Sequence, residues 1–168
     1  MEVFATERLD IRRLTADDVP ALHAVYGDAD AMRWVGDGQP LALERCRDWV
    51  RVTELNYAAH GYGMFTVLER GSDDVVGFCG LVHPGGQPDA EIKYALKRAH
   101  WGKGYATEVA SAMLRYGRTV HGLARIIATA APENAASHRV LAKAGMLPAE
   151  PRRDEDGAVT LVFTWDSP

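Results

Sequence analysis

The stretch Trp101-Gly102-Lys103-Gly104-Tyr105-Ala106-Thr107-Glu108 sets two glycines one residue apart, directly before a helical pattern. Val109, Ala110, Met113 and Leu114 then recur on one helix face, and a helix of mostly small residues is expected from Ala106. Upstream, Ala90 to Leu96 alternates and holds branched and aromatic residues, as a strand does. Glycine lets the backbone approach a ligand without Cβ interference. The first turn of a helix leaves its N–H groups free, and the macrodipole favours an anion there. The chemistry such a stretch supports is capture of a diphosphate by main-chain amides. A glycine pair alone fits a plain strand-to-helix turn equally well. A second motif, Asn134-Ala-Ala-Ser137-His-Arg-Val-Leu141-Ala-Lys143-Ala-Gly145-Met146, favours the ligand. Asn134 is a natural N-cap and Gly145 a natural C′ residue, enclosing a helix of about three turns.

Loop and helix, in this order, resemble the GNAT superfamily of acyl-CoA N-acyltransferases. There a Gln/Arg-x-x-Gly-x-Gly/Ala loop holds the coenzyme A pyrophosphate and an Asn-x-x-Ser/Ala helix follows. The ribosomal-protein N-terminal (RimJ/RimL-like) acetyltransferase branch is the most similar. Ala90-Glu91-Ile92-x-Tyr94 before the loop carries that likeness, as does the opening Thr6-Glu7-Arg8-Leu9-x-Ile11-Arg12. The resemblance runs from Thr6 to about Trp165. It implies an α/β (α+β) fold with a mixed, mostly antiparallel central sheet of six to seven strands. That sheet would be splayed in the middle, with about four helices over its two faces. It also implies acetyl-CoA as cosubstrate, with the diphosphate on Trp101, Gly102, Lys103, Gly104, Tyr105, Ala106 and Thr107. Tyr94, Ala95 and Leu96 would offer a backbone N–H to the thioester oxygen, and Asn134, Ser137 and Lys143 would complete the coenzyme contacts. Trp34, Asp37 and Tyr62 fall in segments that bound the acceptor in the family. Three positions depart from the pattern: Trp101 stands for Gln/Arg, Lys93 for a glycine, and Leu141 for the tyrosine that protonates the departing thiolate.

Moving an acetyl group from a thioester to an amine requires a proton acceptor, a donor for the oxyanion and a way to carry the thiolate. An amine with a pKa of about 8 to 10 is mostly charged at neutral pH, so a carboxylate serves both to bind it and to take its proton. Glu91 is the candidate. On a strand it shares a face with Lys93 and Ala95, while Ile92, Tyr94 and Leu96 share the other. Lys93 is a competing partner roughly 6.5 Å away at Cα, and the pair also fits a plain surface ion pair. Ser137, one helical turn before Leu141 on the same face, is the candidate partner of the sulfur. It fits equally a first-turn serine bonded to backbone.

The elements that must position these groups follow in α/β order. A strand is expected at Leu9 to Leu14, a helix from Thr15 burying Leu22, Val25 and Tyr26, and a loop through Trp34 and Asp37. A longer helix is expected from Leu41 to His60, burying Cys46, Trp49 and Val50. Tyr62 to Glu69 and Val75 to Val82 read as a hairpin, and a last hairpin turns at Asp156-Gly157 before Val159 to Trp165. That final strand offers an edge for a possible homodimer.

Composition bounds the class. The chain has 168 residues, 47% hydrophobic and 25% charged, as a single soluble domain over 1–168 would. Its net charge of −4 argues against nucleic acid and anionic membrane as partners. No apolar run reaches the roughly 20 residues that span a bilayer. Cys46 and Cys79 form no disulfide scaffold, which suits the cytoplasm. The six histidines are scattered without ligand spacing, so no metal is expected. The expectation is an N-acetyltransferase using acetyl-CoA on a primary amine, protein N-terminal or small-molecule, by direct attack. Its rivals are a small-molecule amine or antibiotic acetyltransferase and a non-catalytic acyl-CoA sensor.

Overall fold

Hydrophobic alternation builds a sheet that buries both faces. The computed structural model describes residues 1–35 and 38–166. In chain order the strands are β1 (Glu2–Ala5), β2 (Leu9–Arg13), β3 (Met64–Glu69), β4 (Val75–Val82), β5 (Ala90–Leu96), β6 (Arg125–Ala130), β7 (Leu147–Pro148), β8 (Arg152–Arg153) and β9 (Val159–Asp166). The helices are α1 (Val19–Tyr26), α2 (Leu43–His60), α3 (Tyr105–His121) and α4 (Ala135–Lys143). The strands lie in the order β1-β2-β3-β4-β5-β6-β9-β7, with β8 also on β9. Every pairing is antiparallel except β5 with β6.

The alternation assigns side chains to two cores. Phe65 and Val67 of β3, Leu81 of β4 and Ile92 and Leu96 of β5 pack with Val109, Met113 and Leu114 of α3 and Leu141 of α4. On the opposite face Phe78 and Leu14 pack with Leu22, Val25 and Tyr26 of α1 and Cys46 and Val50 of α2. Gly117 lets α3 lie flat on the sheet, because a Cβ there would stand 2.8 Å from Leu81 Cδ1. Burying the apolar side chains of this large core is the main stabilisation, at about 1.5–3 kcal/mol for each large one.

The fold is the expected mixed, mostly antiparallel sheet with four α-helices, and it differs in detail. The sheet has nine strands rather than six or seven, since β1 and the short β7 and β8 carry too few residues to show a pattern. The strand Val159–Asp166 is no edge: β6 lies on one side of it and β7 and β8 on the other. A homodimer built on its free edge is therefore excluded. Trp49 is only partly buried and packs edge-on against Tyr26 at 4.6 Å.

One buried carboxylate ties the start of α1 to β2 and β3. The buried Asp18 carboxylate accepts from Arg12 Nη1 and Nη2 (2.8 and 2.7 Å), Thr15 N–H (2.9 Å) and Thr66 Oγ1 (3.0 Å). Burial pushes this carboxyl up, but the Arg12, Thr15 and Thr66 hydrogen bonds outweigh it and hold the group below the usual range. A depressed folded-state pKa gives stability that is full above the unfolded value and is lost as pH falls through the folded one. Asp18→Asn should therefore cost about 3 kcal/mol near neutrality, with the deficit shrinking below about pH 4. Urea unfolding across that range checks it, and a deficit independent of pH contradicts it.

Candidate active site

The parallel pair β5–β6 is joined at only two rungs, Ala90↔Ile126 and Glu91↔Ile127, although β5 runs on to Leu96 and β6 to Ala130. Beyond Glu91 the strands part and the sheet opens into a wedge. Lys97 N–H bonds Val76 C=O on β4 (2.8 Å), so by strand alternation the Tyr94 and Leu96 N–H groups point into the wedge and that of Ala95 points to β4. Of the three residues expected to offer a backbone donor, Ala95 is thus turned away. Trp101 Nε1 donates to Leu96 C=O on the open side (2.9 Å). That bond seats the indole, 46% exposed, beside the wedge.

Gly102, Lys103 and Gly104 lie between that indole and α3. Gly102 and Gly104 have φ of 76° and 80°, the left-handed region that glycine alone enters without strain. Gly104 is the N-cap, and the ladder of α3 begins with Glu108 N–H to Gly104 C=O (3.1 Å). The N–H groups before Glu108 have no carbonyl one turn back, as at any helix start. A Cβ on Gly102 would meet nothing within 4 Å, so the loop is open outward. Exposed glycine backbone at the positive end of a 17-residue helix is a cradle for an anion. Ala106 and Thr107 lie half-buried in its first turn, and the Tyr105 ring is buried beneath it.

At the vertex stands Glu91, 3% exposed. Its Oε2 accepts from Thr129 Oγ1 (2.9 Å) and meets Lys93 Nζ (3.2 Å), and its Oε1 accepts from Gln87 Nε2 (3.3 Å). Lys93 is half exposed, so this is a buried carboxylate capped by a cation, not a surface pair.

Across the wedge the Tyr94 hydroxyl lies 2.9 Å from Ser137 Oγ. Asn134 caps α4 by accepting Ser137 N–H (3.2 Å), which fixes the serine at the helix mouth. Leu141 is fully buried core. The phenol nearest to Ser137 comes instead from β5. Burial pushes the Tyr94 hydroxyl up to about 12, the Ser137 hydrogen bond offsetting only part of it. It therefore remains a donor throughout the physiological range.

The remaining expected residues scatter. Trp34 is 39% exposed in the loop after α1, under the Arg33 guanidinium at 4.8 Å. Asp37 lies outside the described residues. Tyr62 is buried: its ring lies against His121 (4.9 Å), and its hydroxyl meets His83 Nε2 (2.7 Å), whose Nδ1 is 2.9 Å from the carbonyl of Gln87, the residue bonded to Glu91. Lys143 is exposed in the last turn of α4, about 9 Å along the axis from Ser137. Cys46 and Cys79 are buried, and burial pushes both thiols up, so neither supplies a thiolate. Among the described residues no group of three or more His, Cys, Asp or Glu is placed to hold a metal. A groove of about 770 Å³ lies away from the wedge, between β1 and α3.

Sequence reasoning missed Thr129 and Gln87, whose signal is only proximity in the fold. It also missed Arg98, which bonds Asp28 (2.6 Å) and Asp30 (2.7 Å) in the loop carrying Trp34. The Tyr94 phenol was missed too, since Tyr94 was expected only as a backbone donor.

A family model described as an acetyltransferase (GNAT) domain matches residues 8–147. The uncharacterized N-acetyltransferase YnaD of Bacillus subtilis is 33% identical over 141 residues, covering 84% of this chain and 80% of its own. A GNAT-family acetyltransferase structure from Bacillus anthracis superposes with TM-score 0.82 at 30% identity, over 99% of this chain and 98% of that one. RimL, a ribosomal-protein α-N-acetyltransferase solved with coenzyme A, shares the fold (TM-score 0.81, covering 99% and 98%) at 18% identity. The chain belongs to the GNAT acetyltransferase family.

With Tyr94 held protonated by burial, Tyr94→Phe should leave the tyrosinate absorbance rise below about pH 11 unchanged. Loss of one tyrosinate equivalent in that range would contradict the buried, hydrogen-bonded phenol.

Proposed function

We propose that this protein transfers an acetyl group from acetyl-CoA to a primary amine by direct attack, with no covalent intermediate on the protein. One observation carries the reading. The wedge that opens at Glu91 has the glycine cradle at one end, inward N–H groups along β5, and the Tyr94–Ser137 hydroxyl pair across it.

The cradle amides of Gly102 to Thr107 hold the diphosphate, and the pantetheine arm lies in the wedge, where it caps the unpaired strand edges. Tyr94 or Leu96 N–H points at the thioester oxygen and stabilises the charge that develops there. Glu91, at the vertex, receives the acceptor ammonium and its proton directly or through one water. The nitrogen lone pair then adds to the carbonyl carbon, the added nitrogen releases its second proton to water, the C–S bond breaks, and the thiolate leaves toward Ser137 and Tyr94. Their hydroxyls donate to it, which is the service a tyrosine at Leu141 would otherwise give.

Glu91 already has three polar partners, which hold its carboxylate in place. An α-amine, with a pKa of about 8, asks less of it than a side-chain amine of about 10.4. Lys93 beside it opposes polycations. The reading therefore favours an α-amino group on a peptide or small molecule over polyamines and aminoglycosides. Among the described residues no helix is long and apolar enough to cross a membrane, and buried free thiols suit a reducing cytoplasm.

Thiol release with acetyl-CoA and a panel of amines tests this. Peptide or amino-acid α-amines should turn over and polyamines should not. Binding of acetyl-CoA without thiol release from any amine would instead mark a sensor. Glu91→Gln should lower kcat about 100-fold with the acetyl-CoA Kd within a factor of about two; unchanged turnover removes Glu91 from the mechanism.

A further inference from the structure

The N-terminal segment between β1 and β2 reaches about a hundred residues along the chain to grip the cradle. Thr6 Oγ1 and Arg8 N–H both donate to Glu108 Oε1 (2.7 and 2.9 Å), and Arg8 Nε donates to Glu108 Oε2 (2.7 Å). The same guanidinium donates through Nη1 to Lys103 C=O (2.8 Å) and lies 4.5 Å over the Tyr105 ring. Behind it, Tyr105 Oη donates to Glu69 Oε1 (2.8 Å), and Arg70 holds the segment by donating to Thr6 C=O (2.9 Å) and Arg8 C=O (2.8 Å).

Two consequences bear on an anion. A trans peptide sets its C=O and N–H on opposite sides, and no cis bond occurs among the described residues. Fixing Lys103 C=O on Arg8 therefore turns Gly104 N–H outward, toward the cradle. Second, Glu108 is an anion in the first turn of α3, where it competes with a diphosphate for the same positive helix end. Its carboxylate is instead turned onto Thr6 and Arg8, and the Arg8 charge offsets it. Lys103 Nζ also lies over the Tyr105 ring, at 5.9 Å, while Arg8 holds the Lys103 carbonyl.

Resting on the coenzyme reading above, we infer that Arg8 is a positioning residue for diphosphate binding: it sets the Lys103–Gly104 peptide and neutralises Glu108. Without it the cradle keeps its glycines but loses an aimed N–H and gains an unmatched carboxylate. The effect belongs to the nucleotide end of the coenzyme alone.

The experiment compares acetyl-CoA with S-acetylpantetheine, which has the thioester and no diphosphate. Arg8→Ala should raise the Kd for coenzyme A at least tenfold and leave kcat/KM for S-acetylpantetheine within twofold. Adding Glu108→Gln to Arg8→Ala should recover a substantial part of the lost affinity, because the unmatched carboxylate is gone. Arg8→Lys keeps the charge without the fork and should recover less than full affinity. Equal loss with both thioesters, or no recovery in the double variant, overturns the inference in favour of general support of the fold. Unchanged coenzyme A affinity in Arg8→Ala overturns it while leaving the proposed function standing. A wild-type protein that gives no heat with coenzyme A overturns the function itself.

Discussion

The failure of β5 and β6 to stay paired beyond Glu91 governs the rest of the structure. Backbone N–H and C=O groups left open inside a fold are costly unless something bonds to them. Here the open edge is met partly by the Trp101 indole and otherwise faces a wedge long enough for an extended ligand. The surrounding features serve that gap. The two helical layers hold the sheet rigid on either side, α3 begins where the gap ends, and α4 begins beside it.

The parts legible in the sequence were those encoded locally. Glycines flanking Lys103 announce a left-handed turn, and the pattern from Val109 to Leu114 announces a helix, because both depend on neighbours in the chain. Asn134 and Gly145 mark the ends of α4 for the same reason. Strand alternation on β5 correctly separates Glu91 and Lys93 from Ile92 and Tyr94. What stayed hidden depends on distant pairing. No local pattern says that β9 runs between β6 and β7, or that Tyr62 turns inward toward His83 and His121. Arg8 and Glu108 each belong to a motif in the sequence, but nothing local says that the fold joins them.

Position 141 lacks a phenol, and the fold brings another one to the start of α4. The leucine at position 141 suggests that proton delivery to the sulfur is lost. In three dimensions Leu141 fills the core between α4 and the sheet, and a phenol from the neighbouring strand reaches Ser137. Chemistry of this kind is set by where an oxygen stands, not by which element carries it.

Arg98 has an effect larger than its exposed position suggests. Its guanidinium joins Asp28 and Asp30, in the loop that carries Trp34, to the short turn leading into Trp101. The two walls that would meet different ligands are thus stitched by one half-solvated side chain. Ions in solution weaken such a stitch, so the hold between these two segments is an ionic-strength-dependent property of this molecule.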